Sequence, residues 1–446
     1  MIILVTGSAG FVGKHLMEAL GRRPGVEAVG YDLGTPDSVL EQGLRKADVI
    51  FHLAGVNRPQ NVEAFKQGNA DFTQTLCAKL LALGRTPLFV LSSSIQAELE
   101  NPYGLSKRQA EKTVEDYAQA VEKQKTENRK QKVEISSQMS DVSQPPTDLR
   151  SPISALCPQA VIFRLKNIFG KWCRPNYNSV TATFCHNIAH NLPIAISDPT
   201  RELELVYIDD VVAGFLDALE PAPSAGVCER REINKSYTIT LGDLAARIRS
   251  FRQSRQNLML PAMDDELTRH LYVTYLSYLD GPDFAYALDQ KVDQRGSLAE
   301  FLKAPAIGQI FVSRTKPGIT RGNHYHHSKT EKFFVVEGEA IIRFRSIQPG
   351  GSGQRAEAGG QRTEDSGQKS EVSSQQSDLR PPTSDLCPQI IEHRVSGREF
   401  KVVDIPPGYT HSIENVGTGE MVCLFWASEI LDPQKPDTYF VPVLAP

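Results

Sequence analysis

Two groups of residues have the types and spacing that catalysis requires, and the first lies in the amino-terminal half. Tyr103 and Lys107 are four residues apart, which places a phenol and an ammonium group on one face of a predicted helix. A nearby cation favours the phenolate, so we expect a lowered Tyr103 pKa and a proton donor for a carbonyl under reduction. The run Ser92-Ser93-Ser94 ends a predicted strand just upstream, where one of its hydroxyls can bind the same carbonyl oxygen.

A glycine-rich run joins the first predicted strand to a helix. Gly7 and Gly10 lack side chains, so the backbone can approach a pyrophosphate at the helix N-terminus, and Gly13 allows close packing of helix on strand. Asp32 follows at the end of the second predicted strand. An acid at this position accepts from a ribose 2′-hydroxyl and repels a 2′-phosphate. The run therefore predicts a dinucleotide site, and Asp32 by itself favours NAD(H).

The second group, in the carboxy-terminal half, contains metal-binding residue types. His324 and His326 are two residues apart and share one face of a predicted strand; Glu331 follows, and His411 comes much later. Three neutral imidazoles and a carboxylate suit Zn, Fe, Mn or Ni, and an open position on such a metal polarises a carbonyl. We expect a divalent metal, with zinc as the first choice. His327 is a further candidate ligand.

These residues need two kinds of scaffold. Short, continuous apolar runs alternate with helix-like segments in the first part of the chain, which predicts a doubly wound parallel sheet. The apolar runs are residues 2–5, 49–53, 88–91 and 161–165. Beyond about residue 292, short runs separated by Gly and Pro predict an all-β sandwich or barrel. The predicted fold class is α/β followed by all-β, with domains at residues 1–290 and 291–446.

Two stretches, at about residues 125–159 and 348–389, contain no aromatic residue and resemble each other. Both contain a Glu-Ile/Val-Ser-Ser-Gln run and both end in Leu-Cys-Pro-Gln. Such polar segments bury too little apolar surface to offset their backbone entropy, so we expect flexible insertions. Our hypothesis is that one mobile DNA sequence entered two loops in frame. The alternative is that the repeats bind a partner.

Composition excludes several classes of protein. The 446 residues allow two or three domains, and a net charge of -4 offers no basic surface for a nucleic acid. Seven scattered cysteines without a C-x-x-C pair favour a reducing compartment over a disulfide framework. No apolar run approaches the ~18 residues of a membrane span, and the first strand leaves no room for a signal sequence. We therefore expect a cytoplasmic protein that binds neither membranes nor nucleic acids.

Together, the glycine run, the serine run and the Tyr103/Lys107 pair resemble the extended short-chain dehydrogenase/reductase family, which acts largely on nucleotide sugars. The resemblance implies catalytic roles for Ser94, Tyr103 and Lys107. Its implied cofactor-binding residues are Gly7, Gly10, Phe11, Val12, Gly13, Asp32, Leu53, Ala54, Gly55 and Lys107. This makes the amino-terminal domain a Rossmann domain.

Two further motifs resemble those of the cupin family. The pattern G-x5-H-x-H-x4-E-x6-G spans Gly318 to Gly338, and P-x-G-x2-H-x3-N spans Pro406 to Asn415. Phe400 stands where the second cupin motif begins with glycine. The resemblance implies a cupin β-barrel whose metal ligands are His324, His326, Glu331 and His411.

The order of reductase and cupin, with residues 169–178 and 436–440, resembles the CapF-type family of capsular polysaccharide biosynthesis. The resemblance implies a homodimer, NADPH, and a UDP-2-acetamido-2,6-dideoxy-hexos-4-ulose as substrate, on the route to UDP-N-acetyl-L-fucosamine. C3 would be epimerised in the cupin and the C4 ketone reduced in the Rossmann domain. Donors and an aromatic face for the UDP-sugar are expected from Arg164, Asn167, Lys171, Trp172, Arg174, Asn176 and Tyr177.

Two alternatives stay open. Asp32 favours NADH whereas the resemblance implies NADPH, and we expect NADPH. The chain could also be a nucleotide-sugar epimerase or dehydratase whose cupin is a non-catalytic dimerisation module.

Overall fold

The protein divides into two compact units. The computed structural model describes residues 1–59, 61–138, 158–220, 227–347 and 389–444. Unit 1 comprises Met1–Gln253 and Pro261–Phe284, and unit 2 comprises Ser254–Leu260 and Ala285–Pro446. The longer segment of unit 2 starts at Ala285, and the boundary at residue 291 stays a prediction.

Unit 1 is built on a six-stranded parallel sheet. Its strands, with those of a smaller sheet, are β1 (Ile2–Thr6), β2 (Glu27–Tyr31), β3 (Val49–His52), β4 (Leu88–Ser94), β5 (Ala160–Leu165), β6 (Asn167–Phe169), β7 (Glu202–Tyr207), β8 (Cys228–Arg231) and β9 (Tyr237–Thr240). The large sheet has the order β2-β1-β3-β4-β5-β8, and the small one β6-β7-β9. The order reverses between β1 and β3, and at such a point an open α/β sheet binds ligands beyond the carboxyl ends of its strands.

Helices cover both faces of this sheet. They are α1 (Phe11–Gly21), α2 (Asp37–Lys46), α3 (Glu63–Phe65), α4 (Phe72–Ala82), α5 (Pro102–Gln138), α6 (Val180–Ala189), α7 (Ile208–Asp217), α8 (Leu241–Asn257) and α9 (Glu266–Leu276). Along β1, Ile3 and Val5 enter one apolar core while Leu4 enters the other. Successive strand side chains point to opposite faces, so a continuous apolar run produces these two cores.

Helix α5 carries the Tyr103/Lys107 pair and is longer than the sequence suggests. The Asn101 side chain accepts a hydrogen bond from Gly104 N, and Pro102 takes the first helical position. The helix continues to Gln138, so residues 125–138 are helical where the sequence predicted a flexible segment, and their status as part of an insertion stays a prediction. Residues 121–134 are mostly Glu, Lys, Gln and Arg, which are good helix formers. The remainder of the two predicted insertions, residues 139–157 and 348–388, lies outside the described residues.

Apart from the last turn of α8, which unit 2 includes, the regular elements in the described residues of unit 2 are strands. Its strands are β10 (Gln290–Asp293), β11 (Gly296–Ala304), β12 (Gly308–Thr315), β13 (Thr320–Tyr325), β14 (Glu331–Glu337), β15 (Glu339–Ser346), β16 (Ile390–Ser396), β17 (Val402–Ile405), β18 (Tyr409–Asn415), β19 (Met421–Ala427) and β20 (Tyr439–Phe440). They form antiparallel sheets ordered β10-β11-β12-β19-β14-β17 and β16-β15-β18-β13-β20. Phe333 and Phe425 from the first sheet pack in one core with Ile342 and Phe344 from the second. The predicted fold class, a doubly wound sheet followed by a cupin-type barrel, is confirmed.

Strands β15 and β16 flank the second predicted insertion. They are antiparallel neighbours in which Arg345 lies opposite Ile390. The chain therefore leaves and re-enters the barrel at adjacent points. Among the described residues, none of the helices combines the length and the apolar character that a membrane span needs.

Candidate active site and candidate metal centre

Unit 1 contains a cavity of about 800 Å³ beyond the carboxyl ends of β1, β4 and β5. The predicted site residues that line it are Gly7, Gly10, Phe11, Val12, Gly13, Leu53, Gly55, Ser94, Tyr103, Lys107, Asn167, Trp172, Arg174 and Tyr177. The cavity thus brings together residues of the predicted dinucleotide, catalytic and substrate groups.

The glycine-rich loop has no room for side chains. Gly7 adopts a φ of +73°, and a Cβ atom there would lie 2.6 Å from the backbone nitrogen of Ala54. A Cβ on Gly13 would lie 2.1 Å from the Gly7 carbonyl oxygen. Helix α1 starts at Phe11 without a side-chain cap, which leaves backbone N–H groups at its N-terminus able to bind an anion.

Asp32 supports this loop from the end of β2. Its carboxylate accepts hydrogen bonds from Ala9 N and Leu33 N, both at 2.8 Å. Asp32 and Ala54 do not line the cavity themselves. Asp32 contacts the glycine-rich loop by its hydrogen bond with Ala9 N, and Ala54 contacts it by packing against Gly7.

Tyr103 and Lys107 lie side by side as their spacing predicts. The Lys107 Nζ atom is 5.9 Å from the centre of the Tyr103 ring and donates to the Ser92 carbonyl oxygen at 3.2 Å. Burial lowers the pKa of Lys107 to about 8, against the opposing effect of the Glu111 carboxylate. Burial also raises the pKa of Tyr103, and a hydrogen bond with Ser94 only partly offsets this. The expected lowering of the Tyr103 pKa is therefore wrong for this state, in which the phenol keeps the proton that a donor requires.

Strand alternation distinguishes Ser93 from Ser94. The Ser93 hydroxyl donates to Glu111 Oε1 at 2.5 Å. Ser94 forms its hydrogen bond with Tyr103, and its hydroxyl also accepts from Gln96 N at 3.2 Å. Only Ser94 of these two therefore has its hydroxyl beside the phenol.

The placement of Arg164 corrects one substrate-binding expectation. Its Nε atom donates to Glu111 Oε1 at 2.9 Å and its Nη2 to Oε2 at 2.7 Å, while Nη1 donates to Glu98 at 2.9 Å. The neighbouring Leu165 lines the cavity and Arg164 does not, because successive strand residues alternate in direction. The Arg164 guanidinium is bound by carboxylates of the protein in this structure, a placement that does not fit the expected role as a substrate donor.

Two other predicted substrate residues also lie outside the cavity lining. The Lys171 Nζ atom is 3.4 Å from Asp209 Oδ1 and 5.2 Å from the centre of the Trp172 ring. The Asn176 amide contacts the side chain of Asn187 at 3.4 Å. Their side chains support the loop that carries Trp172 and Arg174, so the expectation of direct substrate contact does not fit this geometry.

Several polar residues that line the cavity were not predicted from the sequence. They are Lys14, Asn57, Gln96, Lys166, Ser179, Thr181 and Arg201. Asn69 was also missed: its Oδ1 accepts from Val56 N at 2.9 Å, and its Nδ2 donates to the Ser106 hydroxyl at 3.0 Å. The position of Lys14 beside the glycine run was an available signal. Arg201 precedes β7 without any motif, and only the fold brings it to the cavity.

In unit 2, the four predicted ligands come together from both sheets: His324 on β13, His326 just after it, His411 on the neighbouring β18, and Glu331 at the start of β14. One ligand atom from each of His324, His326, Glu331 and His411 lies within 4.8 Å of the others. The register explains part of this, because β13 pairs with β18 and places His324 opposite His411. Nε2 of His326 is 3.4 Å from Glu331 Oε1, and Nε2 of His411 is 3.5 Å from Oε2.

The chemistry of this group fits a divalent cation. The Nε2 atoms of His326 and His411 are buried and have no hydrogen-bond partner among the described residues. Burial lowers the pKa of His324 to about 4, so its imidazole is neutral. Burial opposes ionisation of Glu331, but the His326 and His411 imidazoles outweigh it and hold the pKa of Glu331 far below its usual range. Neutral imidazoles and an ionised carboxylate are the forms that bind metals.

His327 is not part of this group. Its ring packs against Tyr325 and Tyr439, with centroid distances of 5.2 Å and 4.9 Å. The expectation that His327 is a further ligand does not fit this placement.

Comparisons with known proteins cover both units. Residues 3–127 match the NAD dependent epimerase/dehydratase family. Residues 291–363 and 384–439 match the polysaccharide biosynthesis C-terminal domain. The second match is interrupted inside one of the two predicted insertions.

Full-length relatives extend these matches. A Pseudomonas aeruginosa protein named UDP-2-acetamido-2,6-beta-L-arabino-hexul-4-ose reductase is 38% identical over 439 residues, covering 98% of each chain. The crystal structure of the capsular polysaccharide assembling protein CapF from Staphylococcus aureus covers 99% of this chain and 100% of its own, with 38% identity and a TM-score of 0.77. A CapF structure with the inhibitor 3-isopropenyl-tropolone is 35% identical, covers 99% of this chain and 100% of its own, and has a TM-score of 0.73.

Proposed function

The chain belongs to the CapF-type family of UDP-hexulose reductases, and from this premise we propose that it reduces a UDP-2-acetamido-2,6-dideoxy-hexos-4-ulose at C4. The observation that carries the proposal is the single cavity in which the glycine-rich loop, Ser94, Tyr103 and Lys107 meet. A ketone held there has a proton donor and a dinucleotide site within one enclosure.

The reduction needs a hydride at C4 and a proton at O4. NADPH supplies the hydride when it is bound beside the glycine-rich loop. Tyr103 gives its phenolic proton to O4, and the Ser94 hydroxyl holds the same oxygen. The phenolate left on Tyr103 is stabilised by the Lys107 ammonium group, whose Nζ lies 5.9 Å from the ring centre.

The UDP-sugar is bound by residues of the cavity beyond the reacting carbonyl. Trp172 and Tyr177 offer aromatic faces to a base or sugar, while Arg174 and Asn167 offer hydrogen-bond donors. Arg201, which also lines the cavity, adds a second guanidinium for the negative diphosphate. The chemistry of this lining supports a UDP-sugar over an uncharged ketone.

We propose NADPH over NADH as the cofactor. Asp32 opposes a 2′-phosphate by its charge, yet its carboxylate is bound by Ala9 N and Leu33 N and does not line the cavity. Steady-state kinetics with each nucleotide test this choice. A lower kcat/KM for NADPH than for NADH would overturn it, and equal use would contradict both arguments.

The barrel of unit 2 carries the second proposed reaction, inversion at C3. His324, His326, Glu331 and His411 would hold a divalent metal, with zinc as the first choice. A metal held by these residues would polarise the C4 ketone and so acidify the proton on C3, which lies α to it. The neutral His324 imidazole and the ionised Glu331 carboxylate are in the forms that bind a metal. Inversion at C3 followed by reduction at C4 leads toward UDP-N-acetyl-L-fucosamine. We propose that a cytoplasmic homodimer of this chain carries out both reactions.

The test incubates the purified protein with the UDP-4-keto-sugar and NADPH and follows both absorbance at 340 nm and the product by NMR. We expect NADPH oxidation and a product reduced at C4. The double variant His324→Ala/His411→Ala should lose inversion at C3. A fully active double variant would favour a barrel that serves only as a dimerisation module.

A further inference from the structure

The sequence motif at residues 436–440 takes no part in the function proposed so far, and the structure places it against the candidate metal centre. The C-terminal segment, residues 436–443, contributes β20, which pairs with β13 so that Phe440 lies opposite His324. Val441 N then donates to the Asn323 carbonyl oxygen at 2.9 Å, and the Thr410 hydroxyl donates to Val441 O. The segment therefore contacts both strands that carry histidine ligands.

Asp437 is the residue of this segment that binds the turn between the predicted ligands His326 and Glu331. Its carboxylate accepts from three consecutive backbone N–H groups: His327 N at 2.9 Å, Ser328 N at 2.8 Å and Lys329 N at 2.9 Å. The Ser328 hydroxyl donates to the same carboxylate at 3.0 Å. These residues form the turn between the ligands His326 and Glu331, so the carboxylate fixes the separation of the two ligands.

The backbone of Asp437 makes a second contribution. The Nδ1 atom of His326 lies 2.5 Å from the Asp437 carbonyl oxygen. A carbonyl oxygen can only accept, so Nδ1 carries the proton and Nε2 keeps its lone pair. That Nε2 is the buried, unpartnered atom directed at Glu331. The contact thus selects the tautomer of His326 that can bind a metal.

We propose that Asp437 is a positioning residue of the metal centre, holding the loop between His326 and Glu331 by its carboxylate and setting the His326 tautomer by its carbonyl. This inference rests on the proposed metal function of unit 2. It makes the C-terminal segment part of the site, although none of its residues belongs to the ligand group. It also predicts the reciprocal effect, because a metal bound by His326 and Glu331 stabilises the turn that Asp437 holds.

The test measures zinc affinity of the full chain by competition with a chelating dye, together with the visible spectrum of the cobalt-substituted protein. Asp437→Asn replaces one acceptor oxygen by an NH2 group that faces N–H donors. We expect it to weaken zinc binding about 10- to 100-fold and to change the cobalt spectrum. Ser328→Ala removes a single hydrogen bond and should give a smaller loss. Asp432→Asn is the matched control, since Asp432 caps Gln434 N in its own turn and should leave affinity unchanged.

Amide hydrogen exchange and thermal melting of the zinc-free protein complete the test. Zinc should slow exchange at residues 327–329 in the wild type and much less in Asp437→Asn. An Asp437→Asn variant that melts earlier but binds zinc as the wild type does has lost only stability, which overturns the positioning role. A wild-type chain that binds no zinc overturns the proposed metal function itself. If the wild type binds zinc and both Asp437→Asn and Ser328→Ala bind it with the same affinity, the positioning role of Asp437 is overturned while the proposed metal function stands.

Discussion

Tyr103 is the residue whose loss should separate the two proposed reactions. Tyr103→Phe removes the proposed donor of the proton to O4 while keeping the ring that packs 5.7 Å from Phe65. We expect NADPH oxidation to fall about 10²- to 10⁴-fold. Deuterium exchange at C3 of the substrate, followed by NMR, should continue in unit 2.

Loss of C3 exchange in Tyr103→Phe would contradict independent sites. Serving as control, Tyr117→Phe changes a buried tyrosine of the same helix, whose hydroxyl donates to Pro87 O at 3.2 Å. Its removal should cost stability and leave the reduction rate within a fewfold of the wild type.

The ionisation of Lys107 gives the reduction a characteristic pH dependence. The pKa of Lys107 is lowered to about 8 by burial, with Glu111 acting in the opposite direction. The protonated form stabilises the phenolate, so kcat/KM should fall as the pH rises through about 8. Glu111→Gln removes the raising effect and should move this fall to lower pH.

The matched control is Glu115→Gln, one turn further along α5, which removes a more exposed partner of Arg230. Its pH profile should coincide with that of the wild type. A Glu111→Gln profile that also coincides with the wild type would contradict the assigned role of Lys107.

At the level of elements, Arg164 joins β5 to α5. Its guanidinium binds the Glu111 carboxylate, which is only 2% exposed. Arg164→Gln removes the closest cation from that buried charge, leaving Arg230 at 4.0 Å, and should lower the free energy of unfolding by about 3–5 kcal/mol, measured by urea denaturation. The KM for the UDP-sugar should stay unchanged, because the guanidinium does not line the cavity.

Arg22→Gln is the corresponding exposed control, because its partner Glu18 is a surface residue one turn away on α1. We expect a change of about 1 kcal/mol or less. A tenfold rise in KM for Arg164→Gln at unaltered stability would restore Arg164 as a substrate-binding residue.

The two repeat insertions should be removable. The side chains of Lys125 and Gln159 are hydrogen-bonded, so the chain returns to α5 close to where the first insertion begins. In the barrel, Arg345 and Ile390 are direct partners, and deletion of residues 350–388 leaves a short hairpin loop. Loop closure depends only weakly on length, so the chain without residues 128–158 and 350–388 should fold and keep its activity.

Circular dichroism, thermal melting and the reductase assay check this deletion variant, with each single deletion beside it. An insoluble or inactive product would reject the hypothesis of inserted loops. If the purified deletion variant is active but no longer binds a protein that the wild type binds in the cell, the result would instead support the alternative that the repeats bind a partner.

Periodicity predicted the main elements well and their ends poorly. The apolar runs at residues 2–5 and 88–91 became β1 and β4 because both sheet faces are covered by helices. The end of α5 was missed because a polar, charged run is compatible with either a solvated helix or a loop. The contact between Arg164 and Glu111 was not predicted for a related reason, since the sequence does not show which face of β5 meets Glu111.

For the whole molecule, the spacing of residues in motifs predicted the functional sites better than the amino-acid composition did. The four metal-centre residues come together from β13, the turn after it, β14 and β18, as their motifs predict. Arg201 and Asp437 were not assigned roles in the sequence, because their contacts depend on chain segments brought together only by the fold. Tyr103 shows a further limit, since spacing to a cation suggested a lowered pKa while burial raises it.

The central claim is that one chain inverts C3 and reduces C4 of a UDP-4-keto-sugar. The most direct measurement is NMR of the product formed by the wild-type protein from UDP-2-acetamido-2,6-dideoxy-hexos-4-ulose and NADPH in D2O. The account predicts a C4 alcohol with inverted configuration and deuterium at C3, and with protium from NADPH at C4. An unreduced ketone, or a C4 alcohol that keeps its original proton and configuration at C3, would contradict it.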